Sequence, residues 1–128
     1  MTVLEESIRA ALAFAGERGK ANKVYLEFIK ANFIVPIEKT ADESVRVLYL
    51  DEPAGIFLPV FTSELYFDPW AEPVKNNINL LRLSGVDLLK GLGVGVSVAL
   101  NIGSDIYKEF NPAELERMKG MVLKFFST

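Results

Sequence analysis

The chain predicts an α+β domain, a mostly antiparallel sheet of about five strands flanked by N- and C-terminal helices. Apolar residues recur at helical spacing at both ends, alternating β-branched runs fill the middle, and several of those runs are joined by short turn-rich links as hairpins are. A length of 128 residues with 50% apolar content suits one core, so residues 1–128 are expected to form a single domain.

Thr2 and Glu5 have capping-box spacing, and Leu4, Ile8, Ala11, Leu12 and Ala15 share one helical face, with Glu5, Glu6 and Arg9 off it. This helix is expected to end near Gly16 or Gly19. A second, over residues 21–31, sets Val24, Phe28 and Ala31 on one side. Pro36 marks the run from Phe33 to Ile37 as a strand end or an edge strand, because proline has no N–H for a ladder. Residues 45–50 and 56–61 read as strands of a hairpin around a turn at 51–55. Ser63 is placed to cap a short helix that Pro69 should end or bend, and residues 69–77, with two prolines and two asparagines, read as a long surface loop.

Residues 78–83 read as a strand, and Ser84 and Asp87 frame a second capping box for a short helix to Lys90. In the following strand, residues 96–101, Val94, Val96, Val98 and Leu100 alternate with Gly95, Ser97, Ala99 and Asn101, a bulky face and a small one that leaves room for a helix to pack unusually close. Asn111, Pro112 and Glu114 start the last helix, whose core stripe is Leu115, Met118, Val122 and Phe125, with Lys119 and Lys124 toward the negative end of its dipole. Phe125 and Phe126 are adjacent, so a helix cannot turn both into one core.

Composition excludes much chemistry. There is no Cys and no His, which removes disulfides, thiolate nucleophiles, thiolate or imidazole metal ligands and Ser-His-Asp pairs. Catalysis would have to rest on carboxylate, lysine or tyrosine, and no catalytic motif is present; the expectation is a non-enzyme that needs no cofactor. The 14 Lys plus Arg against 17 Asp plus Glu form no basic block, so nucleic acid is not an expected partner. The N-terminus lacks a basic segment followed by an apolar one, and the run from Leu92 to Ile102 is short and glycine-broken against the ~20 residues of a membrane span. A cytoplasmic protein without membrane contact is expected. Its mean hydropathy of +0.22 points to apolar surface left for a protein partner or a second copy.

Gly91-Leu92-Gly93-Val94-Gly95 precedes a strand and lacks the Lys-Ser/Thr ending of a phosphate loop, so it reads as a helix-ending turn. Asp42, Glu43, Asp51, Glu52, Asp68 and Asp105 are not gathered by a calcium-loop pattern and read as solvated loop carboxylates. Thr62 and Ser63 after one strand, with Asn101, Gly103 and Ser104 after another, have two readings. They either bind a peptide or small polar ligand at a sheet edge, or serve as turn and cap residues. Trp70, near Phe61 in order and set between Pro69 and Pro73, is either a lid over the core or a contact anchor.

Three short motifs carry a resemblance. Leu58-Pro59-Val60-Phe61-Thr62-Ser63, the Gly85-x-Asp87-Leu88-Leu89 piece and the Asn101-Ile102-Gly103-Ser104 turn resemble, in spacing and order, the bacterial SseB-like (enhanced serine sensitivity) family. Ile102 stands where the family turn has proline, and Pro69 interrupts a helix that usually runs to the position of Trp70. The likeness spans most of the chain and is to the N-terminal domain alone, without the second domain of larger members. It brings no catalytic signature. Together with the composition it implies a cytoplasmic protein-interaction or regulatory module. The alternative is a domain binding a small, amino-acid-like metabolite at Thr62, Ser63, Asn101 and Ser104, which the serine phenotype in the family's name suggests.

Overall fold

The computed structural model describes residues 3–13, 18–40 and 45–125. Helices α1 (Val3–Ala13) and α2 (Arg18–Lys30) pack together and lead into β1 (Asn32–Glu38). Strands β2 (Leu50–Glu52) and β3 (Gly55–Val60) form a hairpin, followed by α3 (Glu64–Ala71) and one 3₁₀ turn (Glu72–Val74). Then come β4 (Ile78–Ser84), α4 (Gly85–Gly91), β5 (Val96–Leu100), β6 (Lys108–Phe110) and α5 (Pro112–Phe125).

The α+β class holds, but the strands do not make one five-stranded antiparallel sheet. They form a two-stranded sheet, β1-β4, and a four-stranded one ordered β2-β3-β5-β6. The β3-β5 pair is parallel and the other pairings are antiparallel. A parallel neighbour needs a long crossover, and here α3, β4 and α4 supply it. Isolated bridges at Ile34–Phe61 and Ile37–Val47 tie the two sheets together.

The topology agrees with the edge-strand reading of Pro36: β4 pairs with β1 along one side, and only isolated bridges, at Phe61 and at residues 46–48, meet the other. On that second side Ile34 exchanges bonds with Phe61, the Pro36 carbonyl accepts from Leu48 N, and Glu38 N donates to the Arg46 carbonyl. The donor that Pro36 lacks therefore falls where β1 changes partners. The same switch shortens the expected strand over residues 45–50, since its first part bridges to β1 and only Leu50–Glu52 pairs with β3.

One face of the four-stranded sheet, Leu58, Val60, Val98, Leu100 and Phe110, joins Ile8 of α1, Phe28 of α2, Leu89 of α4 and Met118 of α5 in the main core. Phe28 stacks 4.6 Å from Phe33 and 5.1 Å from Phe110. A smaller cluster of Ile34, Phe61, Phe67, Ala71 and Ile78 holds α3 against the opposite side of β1. α3 corrects two expectations. The Ser63 side chain makes no capping bond, and only its carbonyl receives Tyr66 N and Phe67 N. The helix also runs through Pro69, because Leu65 and Pro69 are both exposed and water can satisfy the Leu65 carbonyl that proline leaves unpaired. The expected loop over 69–77 is thus a helix end and a 3₁₀ turn.

The local signals at α4 and α5 are realised. Asp87 N donates to Ser84 Oγ at 3.1 Å, while Asn111 and Glu114 bond reciprocally, Glu114 N to Asn111 Oδ1 at 2.8 Å and Asn111 N to Glu114 Oε1 at 3.1 Å. Leu115, Met118 and Val122 are buried as expected. Thr2, Ala15, Gly16, Asp42, Glu43 and Phe126, and the side chains of Ala11, Leu12 and Phe125, lie outside what the structure describes. Gly19 falls inside α2 rather than ending α1.

The helices pack on the bulky face of β5; on the small face Ala99 and Pro59 are buried and Leu50, Phe57 and Ser97 half-buried, and none of these joins either core cluster.

Candidate functional site

The ends of β3 and β5 are neighbours in register, Val60 opposite Leu100, which brings the next residues, Phe61, Thr62 and Asn101, together. Asn101 is fully buried and left-handed, with φ at 55°, a conformation Asn tolerates better than most residues. Its N–H donates to the Val60 carbonyl at 2.8 Å. Its side chain clasps Thr62: Oδ1 accepts from Thr62 N at 3.0 Å, and Nδ2 donates to Thr62 Oγ1 at 3.1 Å. The Thr62 hydroxyl in turn donates to Oε2 of Glu5 at 3.2 Å. Glu5 is only 4% exposed.

The remaining residues of this edge make turns. Ser104 N donates to the Asn101 carbonyl at 3.1 Å, Gly103 takes φ of 85°, and Ser104 Oγ accepts from Ile106 N at 3.1 Å. Arg9 pairs with Asp105 at 2.7 Å and pins this turn to α1. Tyr66 lies in the same field; burial first, then the Glu5 and Asp105 carboxylates, raise its phenol against the opposing effect of Arg9. The sequence-predicted group is thus brought together as a chain of internal hydrogen bonds linking α1, β3 and β5. Phe61 is fully buried under Trp70, whose ring lies 5.2 Å away, so the tryptophan acts as a half-buried lid on the smaller cluster.

Two open features adjoin this framework. A depression of about 370 Å³ beside the clasp is lined by Val3, Leu4, Glu27, Lys30, Asn32 and Thr62, with opposite charges on Glu27 and Lys30 4.0 Å apart. On the face of the four-stranded sheet away from the helices, a groove of about 430 Å³ has Leu50, Phe57, Ala99 and Ile102 on its walls. Glu52, Glu109 and the Tyr107 phenol border it, and no Lys or Arg lines it among the described residues. The Tyr107 hydroxyl donates to Oε1 of Glu109. Burial, that bond, and the charges of Glu109 and then Glu52 push its pKa up to about 12, so the phenol stays protonated. No group of three or more acidic side chains converges as a metal site among the described residues.

Two structural residues escaped the pattern reading. Glu5 looks solvent-facing beside the Leu4 and Ile8 stripe, yet it shares a face with Ile8 and Leu12 at three and seven residues, a spacing that marks it as borderline. Gly85 looks like a cap-box filler. In the fold its position is crowded: a Cβ there would lie 2.1 Å from the Phe28 carbonyl oxygen and 2.7 Å from that of Ile29.

The fold and this edge define a small α+β domain whose polar residues at the strand ends are used to hold its elements together. The chain belongs to the SseB protein N-terminal domain family, whose model matches residues 4–117. Neither the curated proteins nor the solved structures yielded a match to it. The matched segment takes in all three motifs and stops within α5. No helix among the described residues is long and apolar enough to cross a membrane.

Proposed function

We propose that this SseB-family domain is a non-enzymatic cytoplasmic interaction or regulatory module that engages a protein through the outer face of its four-stranded sheet. One observation carries the reading: Leu50, Phe57 and Ile102 stand around a groove on that face and join neither core cluster. Apolar side chains arranged around a concave surface gain free energy when a partner removes them from water, by about 25 cal/mol per Å². The strand ends are unsuited to turnover, because the Thr62 hydroxyl and the Asn101 amide are committed to each other and to Glu5.

The test is affinity capture with wild type, a Phe57→Ser variant and a Trp70→Ala variant, each first shown to be folded by circular dichroism. A protein held by wild type and by Trp70→Ala but lost with Phe57→Ser supports the outer face. Equal retention by Phe57→Ser places the contact elsewhere and overturns this assignment.

A second reading, binding of a small zwitterionic metabolite, is favoured by the depression beside Thr62, where Glu27 and Lys30 offer complementary charges to an amine and a carboxylate. Saturable thermal stabilisation by an amino acid, abolished by Lys30→Gln, would support it, since a ligand that binds only the native state raises its stability. No shift with any amino acid would remove it.

A further inference from the structure

We infer that the outer groove is built for an arginine-bearing peptide segment of a partner protein, with the arginine stem along Phe57 and its guanidinium at the acidic border that Glu52 and Glu109 form. This inference rests on the reading of the outer face as the interaction surface, and adds the chemistry of the partner.

The register places the parts. Leu50 lies opposite Phe57, Phe57 opposite Ser97, Pro59 opposite Ala99 and Ala99 opposite Glu109, so one side of the sheet presents this row from β2 to β6. Its centre is low because β5 contributes only Ser97 and Ala99 there, while Phe57 and Tyr107 rise on either side. The result is a trough with an apolar floor, aromatic flanks and two carboxylates at its border. Lys108, the adjacent cation, points to the opposite face, where its ammonium lies 5.1 Å over the Phe110 ring and 3.7 Å from Glu114. Nothing basic on the trough's border offsets Glu52 and Glu109 among the described residues.

An occupant must therefore combine apolar length with positive charge at its tip. Arginine and lysine both do, burying the stem and keeping the head on polar groups. Arginine suits this trough better, because a planar guanidinium stacks on aromatic rings and makes paired N–H bonds to a carboxylate. A second copy of the chain joined face to face about a two-fold axis would bring this acidic border against itself, so charge disfavours a symmetric dimer here. The trough also runs across all the strands of the sheet, a span suited to an extended segment more than to a compact metabolite.

The test is a positional-scanning heptapeptide array probed with the ¹⁵N-labelled full chain, followed by amide shift mapping with the best peptide and with its arginine-to-citrulline analogue. Citrulline keeps the shape and removes the charge. The expected result is arginine enriched at one position, shifts centred on Leu50, Phe57, Ala99 and Glu109, and affinity lowered at least about tenfold by citrulline and by the Glu52→Gln, Glu109→Gln pair. Both glutamates are exposed, so that pair should fold normally. Peptides that map to this face with no preference for a cation, or that bind the Gln pair as tightly as wild type, overturn the arginine inference and leave the interaction face standing. Shifts that map to another surface, or no binding across the array, overturn both. Self-association of wild type that the Gln pair strengthens would mark the face as a contact between copies and overturn the arginine assignment.

Discussion

The side chain of Asn101 grips Thr62 with both ends of its amide, Oδ1 on the Thr62 N–H at 3.0 Å and Nδ2 on the hydroxyl at 3.1 Å. Two parallel strand ends that arrive from distant parts of the chain are thereby locked in register, and the lock extends through the hydroxyl to Glu5 on α1. Asn101→Ala loses both bonds and leaves alanine in a left-handed conformation, so it should cost about 2–4 kcal/mol. Asn101→Gly loses the same bonds without the steric cost and should be about 1 kcal/mol less damaging. Urea unfolding of the two variants checks this; equal losses would mean that the positive φ carries no penalty.

Thr62→Val keeps the shape of the side chain and removes the hydroxyl, and with it one bond to Asn101 Nδ2 and one to Glu5. A loss of about 1–3 kcal/mol is expected, with Thr62→Ser close to wild type. In a double-mutant cycle with Asn101→Ala the two losses should fall short of additivity by about 1 kcal/mol, because both remove the same bond. Strict additivity would contradict the clasp.

Gly85→Ala should be strongly damaging, since among the described glycines Gly85 alone would bring an added methyl within 3.0 Å of neighbouring backbone. The added Cβ would meet backbone, the carbonyl oxygens of Phe28 and Ile29, rather than a side chain that can swing away. The Gly85 N–H donates to the Ala31 carbonyl at 2.8 Å, so the start of α4 cannot back off without breaking that bond. A loss of at least about 2 kcal/mol is expected in urea unfolding. Gly91→Ala, where nothing lies within 4 Å, serves as the control and should change little.

Alkaline stability should depend on Tyr25. Its hydroxyl donates to Glu114 Oε2 at 2.7 Å, and burial, followed by that bond and the carboxylate's charge, pushes its pKa up to about 12 from the ordinary 10.0. The unfolded chain releases this proton first, so the contribution is whole below pH 10 and fades as pH rises through 12. Tyr107 has the same direction of shift and adds to the effect. Tyr25→Phe should lose less stability between those pH values than wild type does; parallel curves would show that the phenol is not coupled to folding.

How much of this was legible in the sequence follows from the distance between the residues concerned. Asn111 and Glu114 cap α5, and Ser84 caps α4, through partners within three residues, so their signals are complete in a short stretch of chain. The extent of β2 was not legible, because residues 46–48 pair with β1 and only Leu50–Glu52 with β3. The helix through Pro69 was missed for a similar reason, since it depends on Leu65 being left in water. At the candidate site, the motif residues Thr62 and Asn101 stood out as polar groups at strand ends. Their mutual clasp, and the part taken by Glu5, depend on residues brought together from separate regions of the chain.

The sequence by itself determined the α+β class, the caps of the last two helices, the small-and-large alternation of β5 and the absence of imidazole and thiol chemistry. These are properties of residue type and of neighbours a few positions apart. Tertiary structure alone decided that β3 and β5 run parallel, that the main core gathers on the bulky face of β5, and that Glu52, Tyr107 and Glu109 border one trough. A strand's alternation fixes that it has two faces. Which face the helices cover is set by where the crossover from β3 to β5 runs, and that depends on the packing of the whole chain.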